Sequence, residues 1–264
     1  MFTLLFLGDV VGKIGRQVLS KHLANLVAHY QADMVIANGE NAAGGLGIDA
    51  STAGEIFKAG VNIITSGNHI WQKKEVYPYL ESNKARILRP LNFPPGAPGA
   101  GWLKHQHKSG LEIAVVNLIG RVFMPQLVDC PFRCIGDLLA KELSSSEIII
   151  VDFHAEATSE KVALGYFLDG KVTLVAGTHT HVQTADNRLL PKQTAFISDL
   201  GMCGPQESVI GVKSELVVER FLSGLPGKFD VASGNSMING VVLKINEADG
   251  KAISIERIYE RYAH

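Results

Sequence analysis

Thr3-Leu-Leu-Phe-Leu-Gly-Asp-Val-Val-Gly12 opens with an unbroken run of strand character that stops at Gly8-Asp9. A short apolar run bounded by glycine reads as a buried strand. Directly after it, Ile14, Val18, Leu23, Leu26, Val27 and Tyr30 recur near a 3.6-residue period, the mark of an amphipathic helix. Met34–Ala37 supplies the next strand, Ser51 caps a helix running through Ala59, and Val61–Thr65 is a third strand. Strands alternating with helices build βαβ units around a largely parallel sheet. Asp9 interrupts the opening run, which also lacks a basic start and a cleavage site, so it reads as a strand and not an export signal.

Further along, Glu112–Asn117, Glu147–Phe153, Lys171–Ala176 and Thr194–Ser198 are strand candidates, and Ser214–Leu222 is helical. Gly240–Ile245 and Ala252–Tyr259 flank Asp249-Gly250 as a β-hairpin. The later strands lie closer together, which predicts a second, more antiparallel sheet. The expected fold is an α/β sandwich, two mixed β-sheets flanked by α-helices, in a single domain over residues 1–264. No linker or repeat divides it. The stretch Arg89-Pro-Leu-Asn-Phe-Pro-Pro-Gly-Ala-Pro-Gly-Ala-Gly101 reads as a stiff loop across one end of the sheet.

Composition narrows the function classes. Hydrophobic residues make up 46% and charged residues 19%, which excludes a disordered chain. No apolar run reaches the ~18 residues a membrane helix needs. The net charge of −1 shows no basic excess, so no long nucleic acid and no membrane surface is expected as a partner. An odd count of three cysteines argues against a disulfide framework and fits a reducing, cytoplasmic setting. Cys130, Cys134 and Cys203 lack the C-x-x-C spacing of a zinc clip and read as small hydrophobes.

The chemistry gathers where strands end. Gly8-Asp9, Gly39-Glu40-Asn41, Gly67-Asn68-His69, His154 and Gly177-Thr-His179-Thr-His181 each follow an apolar run. In parallel α/β sheets, ligands bind beyond the carboxyl ends of the strands, so side chains far apart in sequence can converge there. Asp, Glu, Asn and His offer oxygen and imidazole nitrogen without thiolate, a set that suits Mn, Fe, Zn or Mg. Glu40 has one oxygen for each of two ions, and Asn41 and Asn68 add neutral carbonyls that restrain the negative charge. The His179-Thr-His181 spacing points both rings to one side of an extended segment. Turn chemistry alone explains any one of these residues, but not the ordered combination.

That combination resembles the calcineurin-like metallophosphoesterases. Glu40 within Asn-Gly-Glu-Asn-Ala-Ala-Gly-Gly45, and Gly-Thr-His-Thr-His181, resemble the YmdB-like branch of that superfamily. So do Gly8-Asp-Val-Val-Gly12, Gly67-Asn-His-Ile-Trp71, the Arg89 loop, His154-Ala-Glu-Ala-Thr-Ser-Glu-Lys161 and Asp199-Leu-Gly-Met-Cys-Gly-Pro205. The resemblance implies a metal-dependent phosphoric diester hydrolase with two divalent or trivalent ions, Fe or Mn before Zn or Mg. Asp9, Glu40, Asn41 and His181 would hold one ion, and Glu40, Asn68, His154 and His179 the other. His69 would bind no metal and act as general acid.

The reaction so implied is attack on phosphorus by a metal-bridging hydroxide, with His69 protonating the leaving ribose oxygen. The implied substrate is a cyclic nucleotide, with 2′,3′-cyclic nucleotides favoured. A phosphomonoesterase, a 3′,5′-cyclic phosphodiesterase and a non-catalytic, metal-stabilised RNA-related regulator are the alternatives, and self-association is left open. Trp71, Phe93 and Trp102 are candidates to stack on a base, and Glu156 and Glu160 to orient histidine ligands, although packing and an exposed helix start explain them as well. Lys13 and Arg16 lie near Asp9 in sequence but read first as solvated surface.

Overall fold

The opening run forms β1 (Phe2–Val10), and the periodic segment after it forms α1 (Gly12–Tyr30). β2 (Met34–Asn38), α2 (Ala50–Lys58) and β3 (Ile63–Thr65) follow. β1 pairs in parallel with β2, and β2 with β3, as the strand–helix alternation requires. α3 (Val76–Ser82) leads into the Arg89 loop, which folds back on itself through Arg89 N–H to Ala100 O. The structure is a computed structural model that describes residues 1–83 and 86–263.

The middle of the chain builds a second unit of the same kind. β4 (Trp102–Gln106), β5 (Glu112–Ile119), α4 (Pro131–Lys141), β6 (Ile148–His154), α5 (Thr158–Leu168) and β7 (Leu174–Thr178) are followed by β8 (Arg188–Leu189) and β9 (Ala195–Ile197). β10 (Met202–Pro205), α6 (Ser214–Ser223), β11 (Ser236–Ile245) and β12 (Ala252–Tyr262) complete the order. One sheet runs β12-β11-β10-β1-β2-β3 and the other β4-β5-β6-β7-β9-β8; both are mixed.

Alternation along the strands explains the layers. Phe2, Leu4 and Phe6 turn inward and pack with Ile113, Val115, Ile148 and Ile150 of the other sheet. Leu5 and Leu7, on the opposite face of β1, pack with Val18, Leu19 and Leu23 of α1 and Ile56 of α2. In the second sheet Val116, Val151 and Phe153 face Ile135 and Leu138 of α4 and Leu164 of α5. The result is helix, sheet, sheet, helix, and each fully buried large side chain contributes about 1.5–3 kcal/mol. Among the described residues, no helix is long and apolar enough to cross a membrane.

The structure corrects several readings. The second sheet is not the more antiparallel one: β5, β6, β7 and β9 pair in parallel there, and the late antiparallel hairpin belongs to the first sheet. β11 pairs antiparallel with β1, so the hairpin extends the first sheet. Val241, Leu243 and Ile245 complete the inter-sheet layer begun by Phe2, Leu4 and Phe6, and this burial decides the membership. Asp49, not Ser51, caps α2: its extended backbone lets the carboxylate accept from Thr52 N–H while the Thr52 hydroxyl accepts from Asp49 N–H. Ser51 sits inside the first turn. The seventh strand starts at Leu174 and reaches Thr178, later than Lys171–Ala176, because its pairing with β6 runs through to His154↔Thr178.

Candidate metal centre

Every candidate group lies at or just beyond the carboxyl end of a strand. Asp9 is the last residue but one of β1, Glu40 and Asn41 follow β2, and Asn68 and His69 follow β3. His154 is the last residue of β6, and His179 and His181 follow β7. β1, β2 and β3 belong to one sheet and β6 and β7 to the other, so the site straddles both. The register of β1 on β2 shifts between Leu7 and Asp9, and Asp9 N–H turns to Gly201 O. Glycine is required at two of these ends. A Cβ on Gly67 would fall within the His154 ring, and one on Gly177 would fall on Ser198 O.

The groups meet. His154 Nε2 lies 2.8 Å from Asn68 Oδ1, 3.0 Å from Glu40 Oε1 and 3.1 Å from His179 Nδ1. Asp9 Oδ2 accepts from His179 N–H at 3.1 Å, and Asp9 Oδ1 stands 3.8 Å from His181 Nε2. Asn41 spans the remaining gap, with Nδ2 3.0 Å from His181 Nε2 and Oδ1 2.9 Å from His69 Nδ1. Glu40 Oε2 accepts from His69 N–H at 2.9 Å. His179 at φ 103° and His181 at φ 65° adopt left-handed backbone, an uncommon state for residues other than glycine.

The imidazoles of His154, His179 and His181 are each anchored by the outer nitrogen. The Thr178 hydroxyl donates to Asp152 Oδ1 at 2.7 Å, so Thr178 Oγ1 is left to accept from His154 Nδ1 at 2.9 Å. His179 Nε2 faces Glu156 Oε2 at 3.0 Å, and His181 Nδ1 donates to Ile210 O at 2.8 Å. The inner nitrogens, His154 Nε2, His179 Nδ1 and His181 Nε2, therefore turn toward the carboxylates. Anchoring the outer N–H is how proteins fix metal-binding imidazoles.

Electrostatics inside the pocket favour positive charge. Asp9 Oδ1 and Glu40 Oε1 are buried and receive no aligned hydrogen bond from the described residues. Burial pushes the Asp9 carboxyl up to about 6, against the pull of His181 and His154. Burial would also raise Glu40, but His154 and His69 carry it down to about 2. His154, lowered by burial, is brought up to about 9 by Glu40 and Asp9. His179 falls to about 3 through burial and the neighbouring His154. Burial lowers His69 as well. A cation and a proton would compete for the same inner nitrogens, and the cation would meet two orphaned carboxylate oxygens. Glu40, His154 and His179 offer ligand atoms within 4.8 Å of one another. The donor set fits a hard or borderline metal ion. Asn41 would have to rotate its carboxamide for Oδ1 to join Asp9 and His181.

Sequence reading missed the support behind these groups. Asp152, buried and pushed by burial up to about 7, gathers the hydroxyls of Thr65 and Thr178 and the Asn38 amide beneath His154. A carboxylate inside the apolar run Ile148–Phe153 was the available signal. Lys161 and Asp199, also missed, form a buried pair at 2.7 Å. Of the two glutamates considered, Glu156 reaches a histidine, while Glu160 accepts from Arg121 and Val122 N–H instead. Arg16 pairs with Glu55 and donates to Ala42 O. Trp71 stands edge-on to Tyr77 and Phe93, at 5.5 and 5.4 Å, and Trp102 packs on the helix side of the second sheet, so these rings are engaged in packing.

Residues 5–258 match the family described as YmdB-like protein. The chain belongs to that family. It is 45% identical over 255 residues, 97% of its own length and 96% of the other's, to a Bacillus subtilis protein named 2′,3′-cyclic-nucleotide 2′-phosphodiesterase. A crystal structure of a novel phosphatase from Mycoplasma pneumoniae superposes with a TM-score of 0.93 at 39% identity, covering 99% of this chain and 94% of that one. A hypothetical protein from Thermus thermophilus superposes with a TM-score of 0.92 at 40% identity, covering 99% and 100%. Both superpositions span nearly the whole of this chain.

Proposed function

We propose that this protein is a phosphodiesterase with two metal ions that hydrolyses cyclic nucleotides, 2′,3′-cyclic nucleotides foremost. The observation that carries this reading is the anchoring of three imidazoles by their outer nitrogens, so that the inner ones converge with Asp9, Glu40 and Asn68. The name of the Bacillus subtilis relative supplies the substrate class. Asp9, Glu40, Asn41 and His181 would hold one ion, and Glu40, Asn68, His154 and His179 the other, with Fe or Mn the first candidates. Such ions, when bound, acidify water and neutralise charge on phosphoryl oxygens.

His69 stands apart from the ligand set. Its Nδ1 is tied to Asn41 Oδ1, its backbone N–H to Glu40, and its ring is partly exposed. Once Asn41 turns its Oδ1 to the ion, its Nδ2 would face His69 Nδ1 and leave the ring proton on Nε2, to be handed to the departing ribose oxygen, a poor leaving group until protonated. Glu156 and Ile210 O keep the rings of His179 and His181 in place, and the Asp152 network does the same for His154.

The test pairs metal analysis of untreated protein with a panel of 2′,3′-cyclic AMP, 3′,5′-cyclic AMP and p-nitrophenyl phosphate in manganese or iron(II). The expected result is about two ions per chain and fastest turnover of the 2′,3′-cyclic diester to a 3′-phosphate. A fully loaded protein that hydrolyses no diester overturns the reading.

A further inference from the structure

Next to His181 the surface opens into a cavity of about 200 Å³, lined by His181, Gln183, Met202, Met237, Asn239 and Tyr259. It adjoins the centre on two sides. His181 is one of its walls, and Met202 pairs directly with Asp9 across β1 and β10. The two thioethers give an adaptable, polarisable surface suited to a flat ring. Tyr259 stands directly opposite Asn239 in the β11–β12 pairing, which puts both side chains on one face of the sheet. The tyrosine ring is half exposed, and Arg261 braces it by donating to its hydroxyl at 2.6 Å.

The polar groups of this cavity are underused by the protein. Gln183 Nε2 donates to Gly240 O at 2.8 Å and Ile258 O at 3.0 Å, which fixes the orientation of the carboxamide. Gln183 Oε1 then accepts nothing from the described residues. Among the described residues Asn239, only 2% exposed, gives a single weak contact from Nδ2 to Met237 Sδ at 3.7 Å, and its Oδ1 also accepts nothing. Buried acceptors without donors are costly and uncommon in native proteins, and two in one cavity point to a ligand that brings hydrogens.

We infer that this cavity is a nucleobase subsite, which takes a base bearing an exocyclic amine. The inference rests on the phosphodiesterase reading for the phosphate beside it. Tyr259, which carries the Arg261 guanidinium 4.9 Å from its ring centroid and is half exposed, offers the aromatic surface that Trp71 and Phe93, packed edge to face on each other, do not. An exocyclic amine carries two hydrogens for the two idle acceptors, Asn239 Oδ1 and Gln183 Oε1. Adenine, guanine and cytosine have that group, and uracil does not.

Calorimetric titration of the manganese-loaded protein with adenosine 3′-monophosphate, uridine 3′-monophosphate and inorganic phosphate tests this without turnover. The adenosine nucleotide should bind more tightly than the uridine nucleotide, and both more tightly than phosphate. Tyr259→Ala, on an exposed ring, should weaken both nucleotides about tenfold and leave phosphate unchanged. Asn239→Ala, which breaks no strong internal hydrogen bond, should erase the preference for adenine. Nucleotides that bind no better than phosphate, or that ignore Tyr259→Ala, overturn the subsite. If nucleotides bind with these preferences but no diester is hydrolysed, the catalytic reading fails and the subsite stands. If diesters are hydrolysed with equal KM whatever the base, the subsite fails and the catalytic reading stands.

Discussion

Lys161 Nζ lies 2.7 Å from Asp199 Oδ2, and both side chains are almost wholly buried. The same carboxylate accepts from Thr180 N–H at 3.0 Å, between the two histidines of the site, and from Gly201 N–H at 2.8 Å. Gly201 O in turn receives Asp9 N–H. One ion pair therefore ties together the backbone that carries Asp9, His179 and His181. Removing Lys161 leaves a buried carboxylate unpaired, so Lys161→Met should cost about 3–5 kcal/mol in urea unfolding. The double variant Lys161→Met with Asp199→Asn should recover part of that loss. A single variant as stable as the parent would show that the pair holds nothing.

Gly67→Ala places a methyl group where the His154 ring lies. The protein should still unfold cooperatively but bind less metal, because His154 must swing away from Asn68 and Glu40. Unchanged metal content in this variant would mean that His154 is not a ligand.

His69→Ala removes the one imidazole of the site that the ligand assignment leaves out. Metal content should persist while kcat falls by about 10²–10⁴-fold, the range for loss of a general acid. Loss of both ions in this variant would move His69 into the ligand set.

Cys203 is buried, and burial pushes its thiol from 9.0 up to about 12. The thiolate is the reactive form, so DTNB at pH 8 should spare Cys203 until the chain unfolds, while the half-buried Cys130 and Cys134 react first. The unfolded thiol ionises near 9.0 and the folded one does not, so this group's stabilisation is present below pH 9.0 and lost as pH rises toward about 12. Immediate labelling of all three thiols in the native state would contradict the burial.

Asp49→Ala breaks the reciprocal cap with Thr52 at the start of α2. The expected cost is about 1 kcal/mol, read as a lower melting temperature. Ser51→Ala, inside the first turn, should cost much less. The reverse order would restore Ser51 as the cap.

The strand ends were legible because their information is local. Gly8-Asp9, Gly39-Glu40-Asn41 and Gly67-Asn68-His69 each announce themselves where an apolar run stops, and buried parallel strands leave only their ends free for chemistry. The amphipathic period of α1 and the turn between β11 and β12 were equally local. Asp152 was hidden because a carboxylate in an apolar run becomes meaningful only once Thr65, Thr178 and Asn38 surround it.

The amino-acid order by itself determined which residues have strand or helix character, and which side chains can ligate an ion. Tertiary structure alone decided that β11 joins β1, that Lys161 meets Asp199, and that Gln183 and Asn239 share a cavity with Tyr259. The apolar run of β11, buried on both faces, reads the same whichever sheet accepts it, and a buried charge has no sequence signature for its partner. Both are settled only when distant segments compete to cover one apolar layer and leave no charge unpaired.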